Sequence, residues 1–186
     1  MQTDIKNFRR TLSLSSGVQV LLCILTPADR EHLIEMFQCA TDADLEFFRD
    51  DVRDAGLVAR WAEHVNLKHV VPVVALVQDR IVGEGMLQLG RGCDRHMAEL
   101  RIYLCREFRG RGLGSAMIKA LIDLGREMGL RIVFARIAAS QTQVVRAFQS
   151  LGFEVEHTSR DRLINSAGET QDVVEVVYYV RRASAF

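Results

Sequence analysis

The sequence lacks the features that mark several common classes of function. It has no net charge, because 24 lysines and arginines balance 24 aspartates and glutamates. A basic face that grips nucleic acid through its phosphates is therefore not indicated. The four cysteines, Cys23, Cys39, Cys93 and Cys105, are scattered and form no Cys-x-x-Cys pair. That pattern argues against both a zinc site and a disulfide framework, and it fits a reducing cytoplasm. His64, His69, His96 and His157 show no ligand spacing, so no metal is expected. No apolar run approaches the roughly 20 residues that cross a bilayer. Residues 1–6 also lack the apolar core of a signal peptide. Repeats and low-complexity linkers are absent. The expectation is one soluble, cytoplasmic domain of 186 residues, long enough to bury a real core.

What the chain does contain is concentrated near its middle, in Leu104-Cys-Arg-Glu-Phe-Arg-Gly-Arg-Gly-Leu-Gly-Ser-Ala116. Leu100, Ile102 and Leu104 lead in as an apolar strand. Leu113, Met117, Ala120, Leu121, Leu124 and Met128 lead out at helical spacing. Between them, Arg109-Gly110-Arg111-Gly112-Leu113-Gly114 is basic and rich in glycine. Glycines at such a turn let the backbone take positive φ and approach a ligand closely. The free N–H groups of the turn and first helical turn suit an anion, and Arg109 and Arg111 add full charges. The dinucleotide pattern Gly-x-Gly-x-x-Gly is not met, and the Gly-Lys-Ser/Thr end of a P-loop is missing. The bland alternative is an ordinary tight turn capping a helix.

The rest reads in order. Residues 1–16 form a polar arm or a strand extension, and residues 17–186 form the domain. Val18–Leu25 is a strand, and Thr26-Pro27 opens a helix reaching about Cys39. A second helix follows Thr41-Asp42 with Leu45, Phe48 and Val52 inward, and a third over Leu57–His64 is weaker. Strands are expected over 70–77, 81–89 and 97–104. A helix follows from Gly112 to about Met128, closed by Gly129. Residues 131–137 form a strand beside 97–104, reached by a helical crossover. Ser140 caps a helix through Leu151, and 153–160 and 173–181 form a hairpin around a polar loop at 161–172.

Arg-x-x-Gly-x-Gly after an apolar strand resembles the acetyl-CoA loop of the GNAT superfamily of N-acetyltransferases, and the order of elements fits that fold from Val18 onward. The resemblance implies an α/β (α+β) fold. Its sheet would have about seven strands, mostly antiparallel with a splayed parallel central pair, flanked by four or so helices. It also implies acetyl-CoA as co-substrate. The backbone of Ile102, Tyr103 and Leu104 would hold the pantetheine arm in the splay. Arg109, Gly110, Arg111, Gly112, Leu113, Gly114 and Ser115 would hold the pyrophosphate, with Gln141 as a further cofactor contact or a plain helix-start residue. The N–H of Leu104 would face the thioester oxygen.

The implied reaction is direct attack of a primary amine on the thioester in a ternary complex. An ammonium must lose a proton first, so a base is needed. Alternation places Glu99, Arg101 and Tyr103 on one strand face, and a glutamate on a central strand needs a partner or a job. Ala98-Glu99 ahead of the loop looks like the bacterial protein lysine acetyltransferases, in which the glutamate at this spacing is the base. A salt bridge to Arg101 or a neighbouring strand is the alternative. Glu84, between Gly83 and Gly85, competes as second base or substrate anchor, but unshielded by bulky neighbours it favours a solvated face. Many family members carry a tyrosine that protonates the leaving thiolate where this chain has Phe148, which cannot donate. The lysine acetyltransferase branch tends to lack it as well. Cys105 beside Leu104 invites an acyl-cysteine route, but no adjacent histidine activates it. The favoured acceptor is a protein lysine. A small amine is the alternative, and an acyl-CoA-binding sensor without turnover is the non-enzyme reading; the oligomeric state stays open.

Overall fold

A computed structural model describes residues 5–165 and 167–180. The first four residues of the expected arm, Ser166 of the polar loop and the expected strand end at Arg181 lie outside the described residues. The strands are β1 (Arg9–Ser13), β2 (Gln19–Ile24), β3 (Val70–Val77), β4 (Arg80–Leu89), β5 (Met97–Leu104), β6 (Ile132–Ala138), β7 (Glu154–Ile164) and β8 (Thr170–Tyr179). They form one sheet in the order β1-β2-β3-β4-β5-β6-β8-β7. Every neighbouring pair is antiparallel except β5–β6. The helices are α1 (Arg30–Gln38), α2 (Asp42–Leu45), α3 (Ala55–Glu63), α4 (Leu113–Glu127) and α5 (Thr142–Ser150). Among the described residues no helix is long and apolar enough to cross a membrane.

Side-chain alternation divides the sheet into two cores. On one face, Leu87, Leu100 and Val133 pack with Met117 and Leu121 of α4. On the other, Val74 and Tyr103 pack with Leu33 and Phe37 of α1 and Val58 of α3. Phe37 ties this second core together. It stacks on Tyr103 at 5.5 Å and meets Phe48 and Trp61 edge-on at 5.7 and 6.0 Å. Such pairs contribute about 0.5–1.5 kcal/mol each beyond the area they bury.

The sheet has eight strands rather than about seven, because Arg9–Ser13 of the polar arm pairs with β2. Its alternation is short and arginine-rich, yet Phe8 and Leu12 reach the core. The second helix shrinks to four residues. A capping box between Thr41 and Asp44 starts it. Beyond it, aspartates compete for backbone donors, as their side chains do outside helices. Asp51 accepts from the Arg53 N–H, and Asp54 caps α3 through the N–H groups of Gly56 and Leu57. Phe48 and Val52 still face inward, Val52 fully buried. Ser140 does not cap α5. Its hydroxyl donates to Gln171 Oε1 at 2.9 Å, and Gln141 occupies the cap position without a side-chain bond. The polar loop is shorter than expected because β7 and β8 extend into it. Asn165 closes the turn by accepting from the N–H groups of Ala167 and Glu169.

Candidate active site

Strands β5 and β6 pair only where Met97–Glu99 meet Ile132–Phe134. Beyond that β6 stays with β8 as far as Ala138, and a gap opens beside β5. At one end of β5 the Gly90 N–H donates to the Met97 carbonyl at 3.0 Å. At the other, the Cys105 N–H donates to the Val82 carbonyl at 2.9 Å. Odd-numbered residues of β5 therefore bond to β4, and alternation turns the peptide groups of Ile102 and Leu104 toward the gap. The expectation for Tyr103 is corrected, since its peptide groups face its partner Glu84 on β4 and cannot serve an arm in the gap.

The loop after β5 carries Gly110 and Gly112 at φ +69° and +85°, with nothing within 4 Å of where a Cβ would stand. Backbone conformation, not crowding, calls for glycine there. Gly112 is the N-cap of α4. The N–H groups of residues 110–115 have no hydrogen-bond acceptor among the described residues, as the first turn of a helix dictates. Gly110, Gly112, Gly114 and Ser115 line the groove that runs into the gap. The concavity therefore fits a pyrophosphate.

Arg109 departs from its expected role. Its N–H is taken by the Arg106 carbonyl at 3.2 Å. Its Nε donates to the Leu104 carbonyl at 2.9 Å and its Nη2 to Asp44 at 2.7 Å, while the guanidinium lies over the Tyr103 ring. It fastens α2 to the end of β5. Burial works against the charge of Asp44, but hydrogen bonds from Thr41 and Arg109 hold its carboxyl below the usual range. Arg111 is exposed and outside the groove lining, while Leu113 is turned into the core. Gln141 lines the groove.

The groove, about 2020 Å³, continues past β5 to the α1–α3 side of the sheet. Glu99, Arg101 and Tyr103 share that face, as alternation requires. Glu99 is buried and occupied. Arg49 Nη2 and Arg101 Nη2 donate to its two oxygens at 3.0 Å each, and Arg136 Nη1 stands 3.9 Å away. Both oxygens of Glu99 thus serve as ion-pair acceptors for guanidinium groups. Arg136 also donates to Glu175 at 3.0 Å. Arg49 comes from the segment after α2 and Arg136 from β6, positions that no local motif in the sequence marks.

Glu84 is not on a solvated face: it is 6% exposed and lines the same groove. The flanking glycines face the other way, toward α4. A Cβ on Gly83 would stand 2.5 Å from Leu104 Cδ2, and one on Gly85 would stand 3.0 Å from Leu121 Cδ1. Shielding comes instead from Tyr103 opposite and from α1. Burial pushes the Glu84 carboxyl from 4.5 up to about 8, with the charge of Arg101 pulling it partly back.

Other candidates fall into place. Phe148 is buried edge-on against Phe153 at 4.9 Å and lines the groove without a proton to give. Cys105 is buried and its thiol is pushed up to about 11, chiefly by burial, which leaves little thiolate for an acyl-cysteine route. Cross-strand pairing brings Glu156, His157 and Glu175 together, though Glu175 already holds Arg136.

A strand pair that parts beside inward-facing amides, next to a glycine turn with unpaired N–H groups, suits an extended ligand that ends in an anion. Residues 31–153 match the model of the acetyltransferase (GNAT) family, and the chain belongs to that family. It is 27% identical over 130 residues to the L-amino acid N-acyltransferase MnaT of Escherichia coli, covering 69% of this chain and 76% of that protein. Among solved structures it resembles yncA of Salmonella typhimurium, a putative acetyltransferase with its cofactor acetyl-CoA. That match has TM-score 0.76 and 21% identity, over 89% of this chain and 96% of the other. It also resembles the GNAT domain of S. lividans PAT, with TM-score 0.74 and 19% identity over 92% and 96% of the two chains. The protein is an acetyl-CoA-dependent N-acetyltransferase of this family.

Proposed function

We propose that the acceptor is a small primary amine that also carries a carboxylate, as an amino acid does. The observation that carries this reading is the guanidinium cluster of Arg49, Arg101 and Arg136 around Glu99 on the acceptor side of the groove. Three guanidinium groups face two carboxylates, Glu99 and Glu175, which leaves one positive charge and free donors for a further anion, and guanidinium forks suit a carboxylate. The same cluster repels a polyamine. The amino-acid acceptor in the name of the Escherichia coli relative is consistent with this choice.

In this reading the amides of residues 110 and 112–115 hold the pyrophosphate, and the peptide groups of Ile102 hold the pantetheine arm. The Leu104 N–H stabilises the charge that builds on the thioester oxygen. Phe148 supplies no acid, and a thiol with a pKa of about 8.5 leaves without one. A protein lysine, the acceptor favoured by the sequence resemblance, is the second reading. The half-exposed Arg49 and Arg136 would then meet acidic residues flanking that lysine.

The test is CoA release with L-leucine, L-glutamate, spermidine and an acid-flanked lysine peptide. Turnover of the amino acids, with Arg49→Gln raising their KM about tenfold or more (the worth of one charge-assisted bond), supports the proposal. Preferential turnover of spermidine refutes it, and preference for the peptide transfers the assignment to the second reading.

A further inference from the structure

We propose that Glu84, rather than Glu99, takes the proton from the acceptor amine; the assignment rests on the acetyltransferase reading above. Among the described residues, Glu84 has no hydrogen-bond or ion-pair partner, although it is 94% buried on the groove wall. Three of the other carboxylates that line the groove are engaged: Asp44 by Arg109, Glu99 by Arg49 and Arg101, and Glu175 by Arg136. A buried carboxyl left without donors is an expense that folds tolerate where the group has work to do.

Its position suits the work. Register pairs Glu84 with Tyr103, so it sits diagonally across from Leu104, whose N–H faces the gap. Opposed side chains on neighbouring strands start about 5 Å apart. Gly83 and Gly85 face α4 and alternation sends the side chain between them to the acceptor side. The groups that face it are Arg101 and Tyr103 on β5, the apolar Val74 on β3, and the apolar Leu33 and Phe37 of α1, which packs on β4. Arg101 is the charge acting on it. With its carboxyl pushed up to about 8, it is poised near neutrality, where a general base works best.

The step balances without a further reagent. The carboxylate of Glu84 takes one proton from the bound ammonium. The free amine attacks the thioester carbon, the C–N bond forms, and the C–S bond breaks with its electron pair leaving on sulfur. The second nitrogen proton passes to that thiolate, giving the amide and free thiol. Glu84 then returns its proton to water. Glu99 holds the arginines that orient the acceptor and is a positioning residue.

The experiment measures kcat at saturating substrate between pH 6 and 10, using the fastest acceptor of the panel above. Wild-type kcat should rise with pH and level off above about 8. Glu84→Gln should lower kcat by about 10²–10³-fold, the usual contribution of a general base, and abolish that rise. The KM for acetyl-CoA should change less than about twofold. Glu99→Gln should keep the rise while increasing acceptor KM. If Glu84→Gln retains the wild-type kcat and pH rise, or Glu99→Gln alone loses them, the assignment is overturned while the acetyltransferase reading stands. If the wild type turns over nothing and binds no acetyl-CoA, both fall. Should Glu84→Gln fail to fold, infrared spectra of the wild type decide: a protonated-carboxyl band that fades near pH 8 supports the assignment, and its absence at pH 6 overturns it.

Discussion

Raising the pH should cost this protein stability that a single amide substitution at Glu84 restores. In the unfolded chain a glutamate titrates near 4.5, whereas burial moves Glu84 to about 8 in the fold. Between those values the folded state binds a proton that the unfolded state does not, so stability falls as pH rises. The contribution is intact below about 4.5 and spent above about 8. At about 1.36 kcal/mol per pH unit, the span amounts to about 5 kcal/mol. That is a large part of the roughly 5–15 kcal/mol that holds a typical domain together. Glutamine keeps the shape and cannot ionise. Its unpartnered amide carries a penalty of about 1–3 kcal/mol, which does not vary with pH. Urea unfolding of wild type and Glu84→Gln at pH 5, 7 and 9 isolates the effect, because all other titrating groups are shared. The variant should gain about 3–4 kcal/mol on the wild type between pH 5 and 9. A difference that stays within about 1 kcal/mol across that range would show that the fold solvates Glu84, and the reasoning fails.

Three further outcomes are expected. Gly112→Ala forces a Cβ residue to φ +85° and should cost about 1–2 kcal/mol of stability; calorimetry should also show acetyl-CoA binding about tenfold weaker, and unchanged affinity would remove this turn from the cofactor site. Iodoacetamide at pH 7.5 should label the exposed Cys39 and Cys93 and spare the buried Cys23 and Cys105; early labelling of Cys105, read by mass spectrometry, would reopen the acyl-cysteine route. Gly83→Ala pushes Leu104 Cδ2 from a 2.5 Å overlap and should cost about 1–3 kcal/mol with a lower kcat; an unchanged melting temperature would mean that the Leu104 side chain swings clear.

The elements that hold the cofactor side were legible because their signals are local. A strand, a glycine turn and an amphipathic helix lie within residues 97–128, and each is set by its own periodicity and backbone demands. For β1 the sequence leaves a polar arm and a strand extension both open, because an edge strand needs little apolar alternation, and the structure has the strand. The second helix is shorter than its pattern predicts because Asp51 and Asp54 divert donors that a longer helix would need. Arg109 shows the limit within the loop itself. Its charge is plain in the sequence, but the residue that claims it, Asp44, lies 65 positions away.

The two glutamates expose the deeper reason why acid–base chemistry resists sequence reading. Both sit mid-strand on the same face of the sheet, and the rule that a carboxylate there needs a partner or a job applies to each. Periodicity tells which way a side chain turns; it is silent on what arrives to cover it. Glu99 is satisfied by Arg101 of its own strand and by Arg49, 50 positions upstream, with Arg136 of β6 3.9 Å away. For Glu84 the arrivals are the ring of Tyr103 and the apolar wall of α1, which desolvate it and donate no hydrogen bond, so that only the charge of Arg101 acts in its favour. The flanking glycines, which in the sequence argue for exposure, exist because Leu104 and Leu121 press on the opposite face. The glutamate with neighbours suited to its charge is left holding arginines. The one without them has its carboxyl pushed up to about 8, close to the pH at which a general base exchanges protons most effectively, and this is what supports the role proposed for it.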